Sequence, residues 1–499
     1  MIAVPNDNKK REPSMKATTN RFISILFALI LSAHAHSQPT GTPVVIGEQL
    51  TIESQVLNEE RSLIIGLPAS YGTGNRSYPV LYVLDGSTHF HYTTGITQFL
   101  AQNQFIPEMI VVAINNTDRT RDLTPPSEEA MEQEFMPTHG GAGNFQRFFA
   151  EDLMPWVEEN YRTHPYKVLI GHSFGGLFAI HTLTTRPDLF DAYIAISPSM
   201  QWNGQRLVDQ AEAFFKETPE LPISLYMTVG NEGGPLLGGT RKLAGVLGES
   251  TPEGLLWQFD HLPLETHGTV PHRSTYQGLE FVFANWTLRE PERVYQQYGL
   301  DAIERFHAFG DERYRTERGI PALTFEFLLG GMGERGEIDE AVTLMSHPSA
   351  IENARSPLHS HLANILRQNG READAIGFYR NAVQLNPGNE AARTALDELD
   401  VDYSDLVPEP VIDSRTLERY AGVYTSSEAN DITVLLEDGQ LHRELDGNRS
   451  QLFALSDTEF YMMGPDVRYR FIDNGESAHP SIHIRSGNIE FVAQRRSED

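Results

Sequence analysis

Between residues 43 and 290 short, unbroken apolar runs alternate with stretches of helical period. The runs at 78–84, 109–114, 166–170, 192–196 and 223–229 show almost no polar alternation. A strand that is apolar on both sides is covered on both faces, the condition of a mostly parallel sheet lying between helices. Ahead of them, 49–57 and 61–68 read as an antiparallel opening pair. Residues 145–161 and 176–185 repeat their apolar positions at helical spacing. A strand-like stretch at 255–264 is followed by a helix-like one at 274–286. This order predicts an α/β domain over 43–290, a mostly parallel sheet with helices on both faces.

From 291 to 403 the strand pattern stops and helical period and charge take over. With Pro387 near the end of a repeat of about 34 residues, Ala363, Ala375, Tyr379 and Ala382 fall on the small and aromatic packing positions of a tetratricopeptide-like unit. A looser second unit surrounds 336–345. One or two such units cannot stand as a free solenoid, so they are expected to pack on a neighbouring domain, bind a protein partner or self-associate. Val407-Pro408-Glu409-Pro410 reads as a linker. Beyond it, 414–499 carries short alternating strands at 431–436, 440–445, 459–463, 468–472 and 481–484. Asp438-Gly439 is a hairpin turn between the first two. This predicts a small antiparallel β domain.

Charge changes the picture by exclusion. The formal net charge is −29, which repels phosphate backbones and argues against nucleic acid and anionic membrane surfaces as partners. The chain has no cysteine, so disulfides, thiolate metal sites and a cysteine nucleophile are excluded. No His and carboxylate grouping has convincing metal spacing. At the N-terminus, a short basic region after Met15, an apolar run over 22–31 and Ala33-His34-Ala35 stand in the order of a secretory signal. A spanning helix needs about 20 apolar residues, so 15–35 reads as a removable signal peptide. The expected location is secreted or periplasmic, with no membrane span after cleavage.

The chemistry centres on Gly171-His172-Ser173-Phe174-Gly175. This G-x-S-x-G pentapeptide follows a buried strand and precedes a helix, the context of a nucleophile elbow. Glycines on both sides leave room for a tight turn that presents Ser173, and the Phe174 N–H then faces the developing oxyanion. A serine needs a base, and in this arrangement the chain order is Ser, acid, His. His267, in a loop after the 255–264 strand, is the candidate, with His272 in reserve and His261 placed in the strand. The acid is expected just past strand 223–229, which selects Glu232, with Asp260 and Glu265 competing. Either carboxylate type can orient and charge-balance an imidazole.

Several motifs in order carry a resemblance: Tyr78-Pro79-Val80-Leu81-Tyr82-Val83-Leu84-Asp85-Gly86, Arg121-Asp122-Leu123-Thr124-Pro125, the Ser173 elbow with Gly176, Ser197-Pro198-Ser199 and His267-Gly268-Thr269-Val270. Together they resemble the putative-esterase family, which includes enterochelin (siderophore) esterases, S-formylglutathione hydrolase and mycolyltransferases. The resemblance covers residues 43–290. It implies an α/β-hydrolase fold without cofactor, a small-molecule ester as substrate, and Ser87, the residue after Asp-Gly, as the second oxyanion N–H. Trp202, after the Ser197-Pro198-Ser199 turn, either walls the acyl or alcohol pocket or packs. Arg121, with Arg119, either holds an anionic substrate or forms structural ion pairs. The glycine-rich loop around His139 reads as a flexible lid. Tyr420-Ala421-Gly422-Val423-Tyr424 resembles the opening of the small β domain at the C-termini of secreted serine hydrolases and β-lactamase-like proteins. The expected function is a secreted serine esterase. An acyltransferase with the same triad, or a non-catalytic scaffold, is the alternative.

Overall fold

The computed structural model describes residues 43–72, 75–352, 355–426, 431–472, 480–486 and 489–496. The expected signal peptide, 15–35, lies outside the described residues. Among those described, no helix is long and apolar enough to cross a membrane.

Eight strands form the first sheet: β1 (Glu48–Ser54), β2 (Glu59–Gly66), β3 (Tyr78–Val83), β4 (Ile110–Ile114), β5 (Thr163–His172), β6 (Ala192–Ile196), β7 (Ser224–Val229) and β8 (Leu256–His261). Their order is β1-β2-β4-β3-β5-β6-β7-β8. β1 pairs antiparallel with β2, and β2 antiparallel with β4. All later pairs are parallel. Every residue of β3, β4, β6 and β7 is buried, as their unbroken apolar runs require. The two-residue period divides them between two cores. Tyr82, Leu169, Tyr193 and Leu225 join helices Phe174–Thr185 and Gly234–Glu249 on one face. Leu81, Val83, Val168 and Ile194 join helices Gly86–Gln102 and Val270–Val282 on the other. Each large buried side chain stabilises this arrangement by about 1.5–3 kcal/mol.

Eight helices follow between Pro291 and Glu398 among the described residues. Helix Leu300–Tyr314 packs on the first sheet. Tyr314 is buried, donates its hydroxyl to the Val282 carbonyl (3.0 Å) and accepts from the Asn285 N–H (3.1 Å). Arg313 donates to Ser224 Oγ (3.0 Å) and the Gly254 carbonyl (3.1 Å). Helices Ser356–Gln368 and Glu372–Leu385 form a hairpin in which Ala363, Ala375, Tyr379 and Ala382 are all buried.

Helix Ser414–Tyr420 leads into a closed antiparallel barrel of β9 (Gly422–Thr425), β10 (Ile432–Glu437), β11 (Gln440–Leu445), β12 (Asn448–Ala454), β13 (Glu459–Tyr461), β14 (Val467–Ile472), β15 (Ser481–Ser486) and β16 (Ile489–Arg495). Sequence patterning finds five of these as strands. β12, β16 and the β9 closure complete the ring. Asp438 (φ 51°) and Gly439 (φ 78°) make the expected hairpin turn with two positive φ angles, and Asp446 (φ 50°) and Gly447 (φ 77°) make a second.

The barrel docks on the helices at a close backbone approach. A Cβ on Gly388 would lie 1.9 Å from the Met462 carbonyl oxygen, and the Gly464 N–H donates to the Gly388 carbonyl at 2.7 Å. Tyr461 of β13 belongs to the helical core. Gly388→Ala is therefore expected to loosen the barrel while leaving the α/β domain intact. Limited proteolysis is expected to cut the 407–413 segment several-fold faster, with the thermal transition of the α/β domain unchanged. Equal cutting rates would refute this docking role.

Candidate active site

β5 ends at His172 and helix Phe174–Thr185 begins one residue after Ser173 does the turning. Ser173 sits at φ 59°, ψ −113°, a strained conformation that costs on the order of 1–3 kcal/mol and persists only where its surroundings impose it. They do so from three sides. A Cβ on Gly171 would lie 2.1 Å from the Gly175 carbonyl oxygen, and one on Gly176 would lie 2.9 Å from Pro198 Cα. The Ser173 N–H donates to the Ile196 carbonyl (2.9 Å), and its carbonyl accepts from Leu177 (2.9 Å) and Ser199 (3.1 Å). Ser173 Oγ lies 3.3 Å from Ser199 Oγ.

Glu232 stands in the loop after β7 and His267 in the loop after β8. The loops run against each other: the Asn231 N–H donates to the Glu265 carbonyl, and a Cβ on Gly230 would meet that oxygen at 2.8 Å. This brings His267 Nδ1 to 3.1 Å from Glu232 Oε1. The same Oε1 accepts from Ser197 Oγ at 2.8 Å, while Oε2 is buried with no hydrogen-bond partner among the described residues. Ser197 itself is fully buried with φ 39°. The competing carboxylates are engaged elsewhere. Asp260 accepts from Tyr226 (2.7 Å) and Gln258 (2.8 Å), and Glu265 faces Arg273 at 3.5 Å. His272 lies against Tyr92, with ring centroids 5.4 Å apart, and His261 is the last residue of β8.

Ser87 and Phe174 both lie in the first turn of a helix. N–H groups there lack intrahelical acceptors and sit at the positive end of the helix dipole, the kind of donor that suits a developing oxyanion. One ionic clamp joins the two helix starts. Asp85 precedes helix Gly86–Gln102 in the left-handed conformation (φ 56°). Its carboxylate takes Arg119 Nε (2.6 Å), Arg119 Nη2 (3.0 Å) and Asn116 Nδ2 (2.6 Å). Burial pushes this carboxyl up, but the hydrogen bonds and charge of Arg119, with Asn116, outweigh it and hold it below the ordinary carboxylate range. Arg119 Nη2 also donates to the His172 carbonyl (3.2 Å), and the guanidinium lies 5.3 Å from the centre of the Phe174 ring.

The two expected substrate contacts are placed otherwise. Every guanidinium nitrogen of Arg121 is committed, to Glu59 (2.6 and 3.0 Å) and to Asp122 (2.7 Å). Trp202 is buried, donates its indole N–H to the Pro125 carbonyl (3.0 Å) and meets Phe174 edge-on at 5.4 Å, so it backs the elbow. His139 is tied down beside it: its ring lies 5.8 Å from Trp202 and Nδ1 accepts from the Ser127 N–H at 3.2 Å. That loop is held in place, where a flexible lid is the sequence expectation.

Sequence reasoning assigns no part to Ser197, to Asp85 or to a row of rings. His172 lies 4.4 Å from His267 and 5.7 Å from His89, centroid to centroid. Only the proximity of His172 and Ser197 to recognised motifs could have signalled them. Among the described residues no group of three or more His, Cys, Asp or Glu could hold a metal ion.

Comparison with known proteins bears on the α/β half of the chain. A family profile described as "Putative esterase" matches residues 54–234. The siderophore triacetylfusarinine C esterase of Aspergillus fumigatus is 31% identical over 210 residues, 38% of this chain and 70% of that protein. The ferri-bacillibactin esterase BesA of Bacillus subtilis is 33% identical over 171 residues, which span 31% of this chain and 59% of its own length. Among solved structures, an IroE-like serine hydrolase from Shewanella oneidensis aligns with a TM-score of 0.51 and 28% identity, over 62% of this chain and all of that one.

Proposed function

Because this chain belongs to the putative-esterase family of α/β hydrolases, we propose that it hydrolyses a carboxylic ester through a Ser173–His267–Glu232 triad. The observation that carries the reading is the His267–Glu232 contact of 3.1 Å, reached by two loops that leave β7 and β8 beside the strained serine turn. Ser173 Oγ attacks the ester carbonyl carbon as its proton passes to His267. Glu232 balances the imidazolium, and the Ser87 and Phe174 N–H groups take the negative charge on the carbonyl oxygen. His267 then gives the proton to the departing alcohol, leaving an acyl-serine. Water attacks that ester as its proton passes to His267, which then gives the proton to Ser173 Oγ as the acid departs. The side chain of His267 is 43% exposed, so solvent water reaches the base. This supports hydrolysis over transfer to a second alcohol.

The substrate class we propose is a siderophore-type ester, on the strength of the named activities of the relatives. The location we propose is outside the cytoplasm, on the pattern of residues 15–35. Hydrolysis of a p-nitrophenyl ester series beside an iron-loaded and iron-free siderophore panel tests both chemistry and class. Turnover of at least one ester by the folded protein is required, and its absence across both panels would refute the proposal.

The clamp on the oxyanion donors gives a second expected result. Arg119→Met releases Asp85, the His172 carbonyl and the Phe174 ring together. Loss of one oxyanion donor costs about 10²–10³ in kcat in serine hydrolases. Since Arg119 positions both donors without being one, a loss of roughly 10- to 100-fold in kcat with KM changed less than about threefold is expected. Steady-state kinetics at one pH decides it, and an unchanged kcat would mean that the donors hold their places without the clamp.

A further inference from the structure

His172 has no part in the steps above, yet its ring is packed against the proton carrier. The His172 and His267 rings are 4.4 Å apart with planes tilted by 43°. His172 is the last residue of β5, and Arg119 holds its carbonyl at 3.2 Å. On its other side stands His89, ring to ring at 5.7 Å and 80°. His89 is buried in helix Gly86–Gln102, and its Nδ1 meets the Tyr92 hydroxyl at 2.8 Å. The row therefore rests on a central strand and a packed helix. His267 is the reverse case, a half-exposed residue on a loop, followed by Gly268, around which a Cβ would find nothing within 4 Å.

We propose that His172 is a positioning residue, whose uncharged ring face holds His267 against Glu232 and stabilises the imidazolium that His267 becomes while it carries the Ser173 proton. An aromatic face attracts a cation lying over it, and the contact is strongest when both are shielded from water. The arrangement needs a neutral His172, because a second cation would repel the imidazolium. Burial, with the charges of His267, His89 and Arg119, outweighs the nearby Asp85 carboxylate and pushes His172 down to about 3. Its Nε2 is buried without a hydrogen-bond partner among the described residues, so the side chain's contribution is made by its face. No proton is gained or lost by His172 in the cycle.

The inference rests on Ser173 and His267 being nucleophile and base. The experiment compares His172→Phe, which keeps a ring face, with His172→Leu and His172→Met, which fill similar space without one. Thermal unfolding and stoichiometric labelling by a fluorophosphonate establish that each variant is folded with a reactive serine. The Phe variant is expected to keep kcat within about threefold of the parent. Leu and Met are expected to lose roughly 4- to 15-fold in kcat, the scale of a half-exposed cation–ring contact, with KM within twofold. Equal kcat in Phe and Leu overturns the proposal, as does an effect confined to KM. Full activity in Ser173→Ala, run in the same assay, would instead overturn the underlying triad reading.

Discussion

Ser173→Ala is expected to lower kcat/KM for the best ester by roughly 10³- to 10⁶-fold, with the protein still folded. The size follows from the loss of the covalent route, since removal of a triad serine or histidine commonly costs that much and leaves the contribution of the oxyanion donors and binding. The folded state is expected to survive because Ser173 Oγ makes one long contact, 3.3 Å to Ser199 Oγ, and the turn is fixed by backbone bonds to Ile196, Leu177 and Ser199 that alanine retains. His267→Ala is expected to cost about as much, and the double variant no more than the worse single one, because the two residues act in the same step. Steady-state kinetics on the three variants, with thermal melts beside them, is the check. Residual turnover above about a tenth of the parent in Ser173→Ala would remove the serine mechanism.

Glu232→Gln is expected to lower kcat by roughly 10²- to 10⁴-fold, the range over which loss of the orienting charge acts in Ser-His-acid enzymes. Two features put this residue toward the larger effect. One oxygen serves both His267 and Ser197, and the other is buried without a hydrogen-bond partner among the described residues. A carboxylate so poorly solvated gains more from a neighbouring positive charge than one facing water, so forming the imidazolium is favoured. Gln keeps the shape and removes that gain. Its amide also offers a donor to His267 Nδ1, selecting the wrong tautomer. Ser197→Ala is expected to cost far less, because the charge remains. If Glu232→Gln stays within about threefold of the parent, the site works as a Ser–His dyad.

Much of this was legible because the signals were local. The buried strands announced themselves by unbroken apolar runs: 192–196 matches β6 residue for residue, and Gly171-His172-Ser173-Phe174-Gly175 placed the turn between β5 and its helix. Glu232 followed from topology, since an acid past the end of β7 is the one a loop after β8 can meet. Other parts were hidden for physical reasons. Helix Gly86–Gln102 begins Gly-Ser-Thr-His and carries Thr93, Thr94 and Gly95, residues of low helix propensity, in a helix held by the burial of Phe90, Thr93, Ile96, Thr97 and Leu100. β12 and β16 are half-polar strands, specified by the neighbours that close the barrel. Arg121 had the right chemistry for an anion, but Glu59, far away in sequence, already occupies it. The row His267, His172, His89 comes from a loop, a strand and a helix, and no spacing along the chain reveals it.

The seating of Tyr314 bears on how such a protein is assembled from modules. Its ring lies 5.5 Å from Tyr166, 5.4 Å from Phe283 and 5.7 Å from Trp286, at the end of the sheet away from Ser173. The helix that carries it comes after the last hydrolase helix, Val270–Val282. The catalytic module therefore borrows the floor of its own core from the segment downstream. A gene shortened at the apparent seam near residue 290 would encode every side chain of the proposed triad above an open aromatic wound. Recombination that keeps the hydrolase soluble has to carry the chain past Tyr314, or supply another hydrophobic plug in its place.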